Sequence, residues 1–250
     1  MKEIVEVERS TDGAIRLFSA DEIASGALYR WVTKQDKSAS GLVNQVQDLS
    51  GNTRALKSMG DNKPYVVRNG GLVLENGRPS LRFNSDGEYY EHPISKSRER
   101  TIGLRANPDT RPDEHAIADI DGVGISEKNG SIRADLYESN TSLSVPHSGD
   151  SARIFVACSE SELVLQVDDT LASAPHAGDR TRTGTIYVGN APNKISYAGT
   201  VQQVYVWNEF KGEGGGRDDI LGLLSAGSFL GVQMQFRFSA GSNSATIAAM

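Results

Sequence analysis

The run from Asp48 to Phe83 constrains this chain most. It opens on the turn-forming Asp48-Leu49-Ser50-Gly51-Asn52 and continues through the extended Lys63-Pro64-Tyr65-Val66-Val67. It then tightens into a loop over Gly70 to Pro79 and closes on Leu81-Arg82-Phe83-Asn84, where apolar and polar side chains alternate. A turn, an extended segment, a tight loop and an alternating strand, in that order, are what a chain needs to pass from one sheet of a β-sandwich to the other.

The rest of the sequence repeats the theme. Ile4 to Glu8 alternates apolar and charged residues, Asp12-Gly13 supplies the positive φ of a tight turn, and Ile15 to Phe18 returns, which predicts a hairpin. Ser19 is an N-cap for a short helix over Ala20 to Ala27. Strands are expected at Tyr89–Ile94, Arg100–Arg105, His115–Ile120, Gly124–Glu127, Ser131–Tyr137, Arg153–Cys158, Leu163–Val167, Thr185–Gly189 and Val201–Trp207, with Gly, Asn, Asp or Pro in nearly every gap. Strand segments this regular, with little helical periodicity, predict an all-β jelly-roll sandwich of two packed antiparallel sheets with short helices. The expected organisation is a hairpin over residues 1–18, one sandwich over 19–229 and a C-terminal strand and tail over 230–250.

Charge and composition narrow the functional classes. The 26 Lys and Arg against 32 Asp and Glu leave a formal charge of -6, and the basic residues are scattered, which argues against a nucleic-acid surface. Cys158 is the single cysteine, so no internal disulfide forms and a reducing setting is expected. No signal-like apolar segment follows Met1, and no run reaches about 18 consecutive apolar residues, so neither export nor a membrane span is expected. The sequon Asn140-Thr141-Ser142 is then an idle match.

The order of these segments resembles concanavalin A-like (laminin G-like) jelly-roll domains, in the version found in phage virion proteins and in the catalytic domain of arabinofuranosidase B. The resemblance covers roughly residues 4 to 226. It rests on Phe18 to Ile23, Trp31-Val32, Leu42-Val43 and Asp48 to Asn52 upstream, and on Leu163 to Asp169, where Asp169 stands in the usual place of a glycine. Thr185 to Gly189 followed by Tyr197 to Asn208 resembles the closing strands. Before the Ser-Gly-Asn turn, where those relatives carry an aromatic pair, this chain has Gln45, Val46 and Gln47. No motif matches the surroundings of the arabinofuranosidase carboxylates.

Outside the common pattern, Asp218-Asp219 opens a helix with Ile220, Leu221 and Leu224 inward. Gly212 to Arg217 lacks the Lys-Ser/Thr ending of a phosphate loop and reads as a flexible connector. Val232, Met234, Phe236 and Phe238 share one face of an alternating segment, which is either an added sandwich strand or an arm for subunit assembly. The aromatic candidates for a sugar platform are Tyr89, Tyr90 and Tyr197, whereas Tyr205 and Trp207 fall on one strand face and read as core or sheet surface. Asp119, Asp121 and Asp168 are candidates for a calcium ion, the first two on one strand face and the third at a turn. No cofactor is required by the pattern. The four histidines have no paired metal spacing, and Cys158 follows an apolar strand as a small core residue.

Three functional classes remain. The first, and the one preferred, is a non-enzymatic virion structural protein of a phage: a capsid decoration, head fibre or tail component. It would be made in the host cytoplasm and would partner other virion proteins, copies of itself and a cell-surface glycan. The second is a carbohydrate-binding module or lectin. The third is a glycoside hydrolase, which would need two carboxylates across a cleft, and Glu88, Glu91, Asp119, Asp121, Asp135, Glu138 and Asp168 are too many for sequence to select a pair.

Overall fold

The computed structural model describes residues 4–5, 18–19, 45–47, 55–59, 62–65, 67–68, 71–76, 78–85, 87–137, 139–149, 151–177, 182–190 and 195–226. Among them two antiparallel sheets pack face to face. The larger sheet has the spatial order β15 (Thr141–Pro146), β14 (Ser131–Leu136), β13 (Val123–Lys128), β12 (His115–Ile120), β19 (Thr185–Val188), β10 (Tyr90–Pro93), β4 (Ala55–Ser58), β3 (Gln45–Gln47). The short β20 (Ile195–Ser196) runs parallel to β12. The smaller sheet has the order β18 (Thr170–Pro175), β17 (Glu162–Val167), β16 (Ala152–Cys158), β11 (Arg100–Pro108), β21 (Ala198–Trp207), β9 (Leu81–Asn84).

The stretch from Ala55 to Phe83 passes between the sheets, while the turn expected over Asp48 to Asn52 lies outside the described residues. β4 belongs to the larger sheet and β9 to the smaller, and two small hairpins lie between them: β5 (Val67–Arg68) with β6 (Gly71–Leu72), and β7 (Leu74–Glu75) with β8 (Arg78–Pro79). β9 alternates as its sequence demands, with Leu81 and Phe83 fully buried and Arg82 and Asn84 half-buried. Near the N-terminus, β1 (Ile4–Val5) pairs with β2 (Phe18–Ser19). The helix expected over Ala20 to Ala27 and the segment from Val232 to Phe238 lie outside the described residues.

Two tight turns set the register of the larger sheet. Asp121-Gly122 has φ of 55° and 83°, and Asn129-Gly130 has φ of 51° and 77°. Each is a two-residue hairpin of the mirror-image type, which requires positive φ at both positions and matches the strand twist. Val123, Ile125, Ala134 and Leu136 therefore face the core with Ala118 and Ile120. Their partners from the smaller sheet include Ile102, Leu104, Ile154, Val156, Leu163 and Leu165. Each such aliphatic side chain contributes about 1.5–3 kcal/mol on burial. Cys158 is among the buried core residues.

The outer face of the smaller sheet is covered by α1 (Gly214–Ala226), whose Ile220 and Leu224 pack with Phe155, Ala157, Val164, Tyr205 and Trp207. This explains why Ile154 to Cys158 shows no alternation: both faces are buried. Gly103 permits the close approach, because a β-carbon there would stand 3.0 Å from Ile220 Cγ2. Arg105 Nη1 donates to the Leu224 carbonyl at 2.7 Å and so satisfies one orphan acceptor of the helix end. The helix begins four residues before Asp218 and includes the Gly214-Gly215-Gly216 run expected to be a connector. Packing on Tyr205 and Trp207 outweighs poor glycine propensity.

The two sheets are also pinned by a buried ion pair. Arg100 of β11 and Asp121 of the β12–β13 turn are both 0% exposed, with Nη2 donating to Oδ2 at 2.7 Å. Asp121 further accepts the amides of Ser97 and Gly184, each at 2.9 Å, and Arg100 also donates to Asn208 and to the Ser95 carbonyl.

Candidate functional site: the outward face of the larger sheet

The register places one residue from each of seven neighbouring strands in a single row on the outward face. Lys57 lies opposite Glu91, Glu91 opposite Tyr187, Tyr187 opposite Asp119, Asp119 opposite Gly124, Gly124 opposite Asp135, and Asp135 opposite Ser142. At about 4.8 Å between strands, Asp119 and Asp135 have their Cα atoms roughly 10 Å apart, and the row is roughly 29 Å long.

Gly124 is the low point of this row. A β-carbon added there would meet Tyr137 Oη at 3.0 Å, so the Tyr137 ring end lies over the glycine. Its hydroxyl is held well above the ordinary tyrosine range, first by burial and then by the nearby carboxylates of Asp119, Asp135 and Glu114. Asp119 is fully buried beneath this arrangement, with Oδ1 accepting the Gly122 amide at 3.1 Å. Arg133 organises the far side: its guanidinium lies 3.6 Å from Glu114, and Nη2 donates to Asp135 at 3.3 Å and to Ser142 Oγ at 3.0 Å. Ser126 Oγ donates to Glu114 at 2.7 Å.

The near side is aromatic. Tyr89 and Tyr187 are both half-buried, with ring centroids 6.3 Å apart and planes tilted by 51°. The Tyr187 hydroxyl is raised from its usual value by burial and then by Glu91, opposed by the neighbouring Thr185 and supported by Asp119 and Tyr89. The combination of part-exposed rings with carboxylates and hydroxyls beside them suits a sugar, whose apolar faces stack and whose hydroxyls need acceptors.

Of the expected sugar-platform residues, only Tyr89 reaches this face. Tyr90 and Tyr197 are 0% exposed and pack on Phe83, with centroids 6.1 and 5.5 Å from its ring. Tyr197 also stacks on His115 and donates its hydroxyl to the Thr200 carbonyl at 3.0 Å. The reason is the pleat: adjacent residues of a strand point to opposite sides, so Tyr89 outward commits Tyr90 to the core. Tyr187, between inward Ile186 and Val188, is the outward ring that alternation identifies.

The three acidic candidates for calcium do not converge. The expectation that Asp119 and Asp121 share a strand face is corrected by the turn. Asp121 leaves the strand at φ 55° and binds Arg100, Ser97 and Gly184, whereas Asp119 faces Tyr137. Asp168 lies at the β17–β18 turn and accepts from the Arg153 amide and Nε, each at 3.2 Å. Among the described residues no group of three or more His, Cys, Asp and Glu is arranged to hold a metal ion. The assembly candidates Val232, Met234, Phe236 and Phe238 lie outside the described residues.

No protein-family model matches this chain, and no curated protein matches its sequence. Among solved structures, a family 54 glycoside hydrolase, an α-L-arabinofuranosidase, superposes with a TM-score of 0.52 at 13% identity, over 84% of this chain and 55% of its own. Mouse laminin α1-chain domains LG4-5 give 0.41 at 17% identity over 62% and 47%. The enzymatically active domain of bacteriophage CBA120 tailspike protein 2 gives 0.46 at 11% identity over 76% and 33%. The chain thus spans between 33% and 55% of the length of these structures. At such identities the likeness is one of fold alone, a concanavalin A-like two-sheet jelly-roll sandwich shared with the arabinofuranosidase.

Proposed function

We propose that the protein is a non-enzymatic glycan-contacting sandwich of a phage virion, serving assembly or adhesion to a host surface, with the outward face of the larger sheet as its contact surface. The observation that carries the reading is the Tyr89–Tyr187 pair set beside the Glu91, Asp119 and Asp135 row. The virion setting rests on the resemblance of the segment from Phe18 to Asn52 to one shared by the phage and arabinofuranosidase branches of this fold, together with the absence of a match to the surroundings of the arabinofuranosidase carboxylates.

A glycoside hydrolase is the second reading, favoured by the two carboxylates flanking Gly124. Binding is preferred because a catalytic acid must touch the glycosidic oxygen. Asp119 is 0% exposed under Tyr137, and Asp135 is held by Arg133. The test is a glycan array probed with the full chain, with a parallel panel of 4-nitrophenyl glycosides. Array binding without nitrophenol release, unchanged by calcium or by a chelator, is expected. Release of nitrophenol that is abolished by Asp135→Asn would replace the binding reading with the hydrolase.

A further inference from the structure

The proposed contact face carries an excess of one charge. Around the two rings and Gly124 the acids are Glu91, Glu114, Asp119 and Asp135 and the bases are Lys57 and Arg133, four against two, with exposed Lys128 further along β13 on the same face. Lys57 and Arg133 both sit beside acids of the same face. Lys57 is opposite Glu91 in the register, and Arg133 is occupied by Glu114, Asp135 and Ser142 on its two terminal nitrogens. An anionic ligand laid along the row would therefore find its one guanidinium already engaged and would meet carboxylates on either side of the aromatic pair. The same carboxylates act on the two tyrosine hydroxyls: Glu91 raises Tyr187, and Asp119, Asp135 and Glu114 raise Tyr137, in each case in addition to burial.

We propose that this face discriminates sugars by charge: it takes neutral and amine-bearing units over Tyr89 and Tyr187 and rejects units carrying carboxylate, sulfate or phosphate. The inference rests on the reading of the face as a glycan contact and adds the class of glycan it selects. Hydroxyls and ammonium groups are donors, and Glu91 beside the rings is an acceptor that both satisfy, while buried Asp119 and Arg133-bound Asp135 act on the ligand through their field alone. A carboxylate, sulfate or phosphate brings only acceptors and a second negative charge. At a separation of about 5 Å in a half-exposed site, one such repulsion is worth about a tenfold loss of affinity.

The experiment uses the full-length chain on a glycan array sorted into neutral, amine-bearing and acidic members, read at low and high salt. Binding confined to neutral and amine-bearing glycans is expected, with amine-bearing ones losing about tenfold in signal at high salt as screening removes the attraction. Glu91→Gln and Asp135→Asn should narrow the gap between amine-bearing and acidic glycans. Asp169→Asn, at a 97% exposed side chain on the β17–β18 turn, should leave it unchanged. Acidic glycans bound as strongly as the others, or a gap that Asp169→Asn narrows equally, overturns the charge selection while leaving the glycan contact standing. An array with no bound member at all, from protein that circular dichroism shows to be folded, removes the contact reading and the inference with it.

Discussion

Replacing Asp121 by Ala is the sharpest perturbation of this fold. The carboxylate accepts from Arg100 Nη2 at 2.7 Å and from the Ser97 and Gly184 amides at 2.9 Å, and both charged partners are fully buried. Removing it leaves a guanidinium in the interior without its counter-charge, which costs about 3–5 kcal/mol. It also strips two amides of their acceptor, at about 1 kcal/mol or more each. The alanine must further adopt φ 55°, a region that Asp and Asn tolerate better than other residues. The sum, roughly 5–7 kcal/mol, is a large part of the whole stability of a domain. Arg100→Met should cost less, because Asp121 then keeps both amide donors. The double variant should be milder than the sum of the singles by about 2 kcal/mol or more, as expected for groups in one network. Urea unfolding followed by circular dichroism measures all three. A loss below about 1 kcal/mol for Asp121→Ala, or strict additivity in the cycle, would refute the reasoning that this pair pins the sheets.

Further outcomes follow from other sites. Gly103→Val drives a side chain into Ile220, 3.0 Å from the position of the new Cβ; it should cost about 1–3 kcal/mol and shift tryptophan emission to the red as α1 lifts from Trp207. His147 is held below its usual pKa of 6.5 by burial, opposed by Glu127 and Asp168. The unfolded chain therefore takes up this proton first as pH falls below about 6.5, stability drops across that window, and His147→Gln should remove its share of the drop in urea midpoints measured at pH 5 and 7. Burial holds the hydroxyls of Tyr90, Tyr137 and Tyr197 above the ordinary value of 10.0. The unfolded chain loses those protons first above pH 10, so stability should fall there, and ultraviolet titration should show three late phenolate signals coincident with unfolding.

Much of the fold is legible in the sequence because alternation and turn chemistry agree. His115 to Ile120 is a strand with the boundaries that its pattern marks, and Asp121-Gly122 and Asn129-Gly130 are turns that their residue types specify. The strands Thr141–Pro146 and Thr170–Pro175 are silent in the sequence, since edge strands of Ser, Thr, Ala and Pro carry little apolar periodicity. The inward positions expected in the helix hold for Ile220 and Leu224, while its start at Gly214 depends on the surface of Tyr205 and Trp207 that only the fold supplies.

The candidate site was harder to read for a related reason. Choosing between Tyr89 and Tyr90 needs the register, and Tyr197 is drawn inward by Phe83 and His115, far from it in sequence. Alternation through Ile186, Tyr187 and Val188 carried the right signal for the outward ring. Nothing local distinguishes Asp135 and Asp119 from the other acids. They are neighbours only through the hairpin that brings Gly124 between them.

The decisive comparison is glycan binding by Tyr187→Ala beside Leu171→Ser, a substitution at a half-exposed leucine of the opposite sheet. Loss of the Tyr187 ring should weaken every bound glycan by about tenfold or more, the order of one stacking contact plus its buried area, while Leu171→Ser should bind as the unmodified chain does. Equal binding by both variants would contradict a contact surface on the outward face of the larger sheet.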